Sequence, residues 1–198
     1  MFETEELHVT ELGKATARWV GHLTPKNSVV LGRHAAYALT ACQLRNPSGA
    51  GQAYAEDVKV FPFTFIWQSM LSLGGRINSA ELNRVLFRVT NEDELDAAIF
   101  NIAAHRAEET GDDALGPETI TGSARNDRII SWMALASFGW LLIADKRETG
   151  GTWYMIRPQA HQLLAEASQM RRTHREYASV QEYVEHISDS ACLPKDVR

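Results

Sequence analysis

Ser123-Ala124-Arg125-Asn126-Asp127-Arg128-Ile129-Ile130-Ser131-Trp132-Met133-Ala134-Leu135-Ala136-Ser137-Phe138-Gly139 is the stretch whose reading decides the fold. Ser123, after Gly122, stands where an N-cap is wanted, and Ala124 to Arg128 fill the first turns before the apolar run begins. Ile129, Ile130, Trp132, Met133, Leu135, Ala136 and Phe138 supply that run, and Gly139 is the expected stop. Beyond it, Trp140 to Asp145 reads as a strand, Lys146 to Gly151 as a turn and Thr152 to Arg157 as the returning strand. A helix running into a Gly-tipped hairpin is the closing half of a winged helix-turn-helix.

The polar residues of this unit fall where a winged helix touches DNA. Arg125, Asn126 and Arg128 gather at the helix start, with Ser131 one turn on. Lys146 and Arg147 occupy the hairpin tip, and Arg157 ends the return strand. Arg bonds guanine bidentately and Asn bonds adenine, so the helix residues are expected to read bases while the wing cations hold phosphates. The competing reading is that helix and hairpin ends are polar simply because they are solvated.

Charge is distributed in the same sense. The chain of 198 residues has a net charge of -5. Residues 1–122 hold 10 Lys/Arg against 16 Asp/Glu, residues 123–175 hold 8 against 4, and residues 176–198 hold 2 against 5. The helix-hairpin segment is therefore the positive one in an acidic protein, which favours local phosphate contact over general nucleic-acid binding. Affinity is expected to be modest and salt-dependent.

Upstream, a short extended piece near Leu7 leads to a helix ending near Val20, and a second helix is expected from Arg33 to about Leu44, closed by Asn46-Pro47-Ser48-Gly49-Ala50-Gly51. Pro62 suits a first helical position, and Phe63, Ile66, Trp67, Met70 and Leu71 share a face that Gly74-Gly75 closes. Asn78-Ser79 then caps a short helix over Ala80–Phe87, the opening of a helix-turn-helix. Asn91 caps a further helix that buries Leu95, Ala98, Ile99, Ile102 and Ala103, with His105-Arg106 suiting its negative pole. Residues 108–122 are acidic and Gly-containing and read as a flexible insertion.

Three stretches carry a resemblance to a known family. Val9-Thr10-Glu11-Leu12-Gly13-Lys14, Gln43-Leu44-Arg45-Asn46-Pro47, and Val60-Phe61-Pro62-Phe63 with Leu71 to Leu82 resemble the winged-helix DNA-recognition region of modular Type II restriction endonucleases. The resemblance spans most of residues 7–165. It implies double-stranded DNA as partner, and a recognition or regulatory role in a restriction-modification or antiviral defence system, with cleavage supplied elsewhere.

The sequence offers little for catalysis. Glu56-Asp57-Val58-Lys59 has the acidic-apolar-Lys order of a metal-dependent nuclease but no strand core around it. The seven histidines show no HxxxH or HExxH spacing, Cys42 and Cys192 are far apart, and no G-x-S-x-G or phosphate-binding loop occurs. No enzymatic activity, metal or cofactor is expected. With no apolar run of membrane-spanning length and an acidic start, the chain is expected to be soluble and cytoplasmic.

After Pro158, residues Gln159–Met170 read as a helix turning Ala160, Leu163, Leu164 and Ala167 inward. Val180, Tyr183, Val184 and Ile187 then repeat at helical spacing. That stripe folds back on its own domain by default, or docks on a protein partner or a second copy. The expected architecture is mainly α with a small β-hairpin wing: an N-terminal helical subdomain over 1–59, a winged helix-turn-helix over 60–172 with the insertion, and a C-terminal amphipathic helix and tail over 173–198. Its expected function is non-catalytic DNA binding; the alternative is a protein-binding adaptor subunit of a multi-component defence or chromosome-organising complex.

Overall fold

The computed structural model describes residues 25–48, 54–108, 111–119, 129–146, 151–170 and 172–188. Pro62 opens helix α2 (Pro62–Ser72) at a position where its missing N–H is not needed. Phe63, Phe65, Ile66, Trp67 and Met70 of this helix are all buried, so it runs through the core and does not merely lie on it. Gly74 and Gly75 end it with φ of 78° and 82°, and Gly75 N–H closes on Met70 O at 2.7 Å. A Cβ on Gly75 would also lie 2.8 Å from the His161 ring.

Ahead of α2, helix α1 (Pro25–Ala41) begins two turns earlier than the expected Arg33 and ends before Leu44, whose N–H pairs instead with Val60 O at 2.9 Å. α1 packs against α2, and Trp67 Nε1 donates to Thr40 Oγ1 at 3.2 Å. Ala36 and Tyr37 of α1 and Val58 lie in the same apolar cluster as Phe63, Trp67 and Ile102.

Directly after the glycines the chain forms a strand, β1 (Arg76–Asn78), where the sequence reading supplied only the Asn78 cap. Three residues are too few to show a period of two, and β1 exists because a distant partner supplies its hydrogen bonds. That partner is β3 (Trp153–Ile156), which also pairs with β2 (Leu142–Asp145). All pairings are antiparallel, in the order β1-β3-β2, with Ile77 opposite Tyr154 and Ala144 also opposite Tyr154. The expected hairpin is therefore the larger part of a three-stranded sheet, and Ile77, Leu142, Tyr154 and Ile156 turn into the core.

Asn78 caps helix α3 (Ser79–Arg84): its Oδ1 accepts from Ala80 N and Glu81 N, both at 2.8 Å, while Glu81 Oε2 accepts from Asn78 N at 2.8 Å. The expected single helix through Phe87 breaks at Val85 and resumes as a 3-10 turn, Leu86–Arg88. Helix α4 (Leu95–Glu108) follows a 3-10 turn, Glu92–Glu94, in which Glu94 accepts from Thr90 N at 2.8 Å and Asn91 N at 3.3 Å. Those backbone donors, Thr90 foremost, hold the Glu94 carboxyl below its ordinary value. Leu95, Ala98 and Ile102 are buried as expected, whereas Ala103 is exposed.

Arg106, near the end of α4, does more than complement a helix pole. Its guanidinium meets Glu81 at 2.7 and 2.8 Å and donates to Leu73 O and Arg76 O, each at 2.9 Å. It also lies 5.3 Å from the centre of the Trp153 ring. One side chain thus ties α4 to the end of α2, the cap of α3 and the sheet.

The insertion, expected to be flexible, is anchored over residues 111–119. A 3-10 turn, Asp112–Leu115, sits against α3, where Arg84 donates to Gly116 O at 2.6 Å and pairs with Asp113 at 3.1 Å. Arg88 reaches Thr119 Oγ1 at 3.1 Å and Pro117 O, and Thr119 N donates to Asn83 O at 3.2 Å. Arg84 and Arg88 thus hold the turn chiefly through its carbonyls and the Thr119 hydroxyl, with one exposed ion pair at Asp113.

Helix α5 (Ser131–Phe138) emerges from a wide π-helical turn at Ile129–Ile130; the expected cap at Ser123 lies outside the described residues. Gly139 does end α5, but for a reason other than left-handed geometry. Its φ is -69°, and a Cβ there would stand 2.5 Å from Ala35 Cβ of α1. The left-handed position is Trp140, with φ of 60°, an uncommon conformation for a bulky side chain.

A 3-10 turn, Pro158–Ala160, leads into helix α6 (His161–Ser168), which packs on α1 and α2 through Leu164 and Ala167. The chain then returns to the end of α1. Gln43 holds it there: its Nε2 donates to Arg175 O at 2.8 Å, its Oε1 accepts from Arg175 N at 2.9 Å, and its backbone N–H donates to Tyr183 Oη at 3.0 Å. Helix α7 (Val180–Ile187), capped by Ser179, is thereby folded onto its own chain. Burial pushes the Tyr183 hydroxyl well above its ordinary value and the neighbouring Cys42 thiol up to about 11. Of the apolar stripe on α7, Tyr183 is buried while Val180 and Val184 remain exposed.

Candidate functional site

The edge formed by α5 and the β2-β3 hairpin is where the sequence reading placed DNA contact. Its inward side is well filled. Ile129, Met133 and Ala136 are buried, and Trp132 packs at a tilt on Phe63 and edge-to-face with Phe87, ring centres 5.6 Å apart in both pairs. The outward side holds Ile130, Ser131, Ala134, Leu135 and Phe138, all exposed. Phe138 is 66% exposed, Leu135 53% and Ile130 52%. The eight residues of α5, SWMALASF, contain no charge. The described part of this face is apolar with one hydroxyl, that of Ser131.

The expected contact residues divide into three groups. Arg125, Asn126, Arg128 and Arg147 lie outside the described residues. Ser131 and Lys146 are exposed, on the first turn of α5 and just past the end of β2. Arg157 is half-buried: its guanidinium covers the Trp140 ring at 4.8 Å and its Nε donates to Leu142 O at 3.2 Å. That cation and ring hold the left-handed residue in place, so Arg157 supports the α5-β2 junction. Lys146 follows the strand end paired with Trp153, and Arg157 follows the end paired with Leu142, which separates them by roughly 15 Å of hairpin. The described cations of the edge therefore do not form one cluster.

The outward face of the sheet carries a feature that spacing alone does not reveal. Trp153 lies 4.6 Å from the Arg76 guanidinium as well as 5.3 Å from that of Arg106. Arg76 precedes the buried Ile77 and Arg106 sits on α4, so only the β1-β3 pairing brings the three together. The sequence signal would have been β1 itself.

Elsewhere, Glu56, Asp57 and Lys59 are exposed around a buried Val58, in a turn before α2 with no strand beneath them. Among the described residues, no group of three or more His, Cys, Asp or Glu side chains is gathered as a metal site, and no helix is long and apolar enough to cross a membrane. A cavity of about 130 Å³ below Trp132, between Pro62, Phe65, Leu86 and Phe87, is walled mostly by apolar groups, with Tyr54 and Thr119 also in its lining. No protein-family model matches the chain, and no curated protein is similar to it in sequence.

Proposed function

We propose that the chain is a non-catalytic winged-helix module that works as a protein-binding adaptor, with the outward face of α5 as its docking surface. The order helix, short strand, capped helix, later helix and hairpin, with the sheet arranged β1-β3-β2, supports the winged-helix reading. The observation that carries the adaptor role is the exposed, uncharged apolar face of Ile130, Ala134, Leu135 and Phe138. Exposed Leu and Phe gain little from a phosphate backbone and much from a complementary apolar surface. The test is native mass measurement of the tagged chain isolated from its source cells. A defined protein assembly that is lost with Leu135→Lys and kept with Lys146→Ala supports the adaptor; a lone chain, or one carrying only DNA, refutes it.

DNA recognition is the second reading, favoured by the positive 123–175 segment and by exposed Lys146 at the hairpin. In that case the chain serves as a recognition or regulatory component of a restriction or defence system. Binding measured across a salt series would then weaken with Arg128→Ala and lose part of its salt slope with Lys146→Ala. Affinity unchanged by both substitutions removes this reading.

A further inference from the structure

We infer that the outward face of α5 meets the same face of a second copy of this chain, in an antiparallel helix pair about a two-fold axis through Ala134. The inference rests on the docking-face reading and names its partner. Ala134 and Phe138 on α5, and Ile130 in the π-helical turn that opens it, follow one another at four-residue intervals and are all exposed. The smallest of the three is central. In an antiparallel pair Ala134 opposes Ala134 of the other copy, letting the backbones approach, and each Ile130 opposes a Phe138. A surface that complements itself in this way is what an isologous interface requires.

Charge and area point to the same occupant. The SWMALASF helix carries no charge, so two copies can meet along it without burying an unpaired charge. At the exposures of Phe138, Leu135 and Ile130, this row and its flank offer on the order of 300–400 Å² of apolar surface per copy. A modest dimer needs about 800 Å² per partner, of which roughly 65% is apolar. The patch supplies most of that apolar centre, leaving a rim for neighbouring polar residues.

The experiment uses the full chain in a concentration series, by light scattering after size exclusion. The expected mass rises toward twice 22.1 kDa and returns to 22.1 kDa in Phe138→Glu, whose melting temperature stays near that of the parent because the side chain is exposed. In a Cys192→Ser background, Ala134→Cys is expected to form an intermolecular disulfide with diamide as oxidant, since the axis brings the two thiols together. A chain that stays monomeric throughout, or a dimer that survives Phe138→Glu and does not cross-link through position 134, overturns the inference. If the purified chain is monomeric but a different polypeptide co-isolates and is lost with Leu135→Lys, the second copy falls while the docking face stands. If neither is seen, both fall.

Discussion

Replacing Arg106 with Met isolates the contact on which the helix-sheet arrangement turns. Glu81 is 1% exposed, and its carboxylate takes two short hydrogen bonds from Arg106, at 2.7 and 2.8 Å. Without the guanidinium it keeps Asn78 N–H at 2.8 Å, while Leu73 O and Arg76 O each lose a donor. Removing one member of a buried ion pair costs about 3–5 kcal/mol, because the remaining charge stays desolvated. Against a typical stability of about 5–15 kcal/mol, and with roughly 2–4 °C per kcal/mol in a chain of this size, Arg106→Met should lower Tm by roughly 6–20 °C. The double variant Glu81→Gln/Arg106→Met removes the stranded charge while a carbonyl still accepts from Asn78 N–H. It should recover about half of the loss or more. Urea unfolding followed by circular dichroism and tryptophan emission reads both variants. A loss below about 1 kcal/mol for Arg106→Met, or a double variant no better than the single, would refute the reasoning.

Three further outcomes follow from other parts of the fold. Gly139→Ala places a methyl 2.5 Å from Ala35 Cβ and should destabilise by about 1–3 kcal/mol in the same unfolding assay, through displacement of α5 from α1. Tyr183→Phe leaves the buried Gln43 N–H without its acceptor at a cost of about 1–3 kcal/mol, seen as faster proteolysis within 172–188 with the remaining core intact. The third concerns pH. Burial beneath Phe61 holds His174 below its ordinary value; Arg45 and Lys59 lower it further while Glu176 opposes them. A depressed folded value means that the neutral ring stabilises the docked segment above about pH 6.5, the ordinary histidine value, and that this contribution is lost as pH falls below it through the folded value. Hydrogen exchange across 172–188 should therefore quicken on acidification, and His174→Phe should flatten that dependence.

Features set by neighbours in the chain were legible in the sequence. Pro62 and Gly74-Gly75 bound α2, Asn78 with Glu81 three residues on marks a cap, and the Val180, Tyr183, Val184, Ile187 spacing marks α7. Features set by distant partners were not. β1 is three residues long and depends on β3, some 75 residues later; Gln43 gives no local sign that it will receive Arg175 and Tyr183; Arg106 looks like any helix-end cation until Glu81 is placed beside it. The contacts that Arg84 and Arg88 make with the 111–119 turn, some 30 residues on, likewise leave no local sign. At the candidate site the apolar outer face was visible in the sequence but not used. Ile130, Leu135 and Phe138 fall opposite Ile129, Met133 and Ala136, and a helix apolar on both sides has a second surface to cover.

The most direct test of the proposed docking surface is a photo-reactive phenylalanine derivative at position 138 of the full chain, activated inside the source cells. The account predicts an adduct to polypeptide that disappears when Leu135→Lys is added and persists with Lys146→Ala. Adducts to DNA, or none at all, would contradict it.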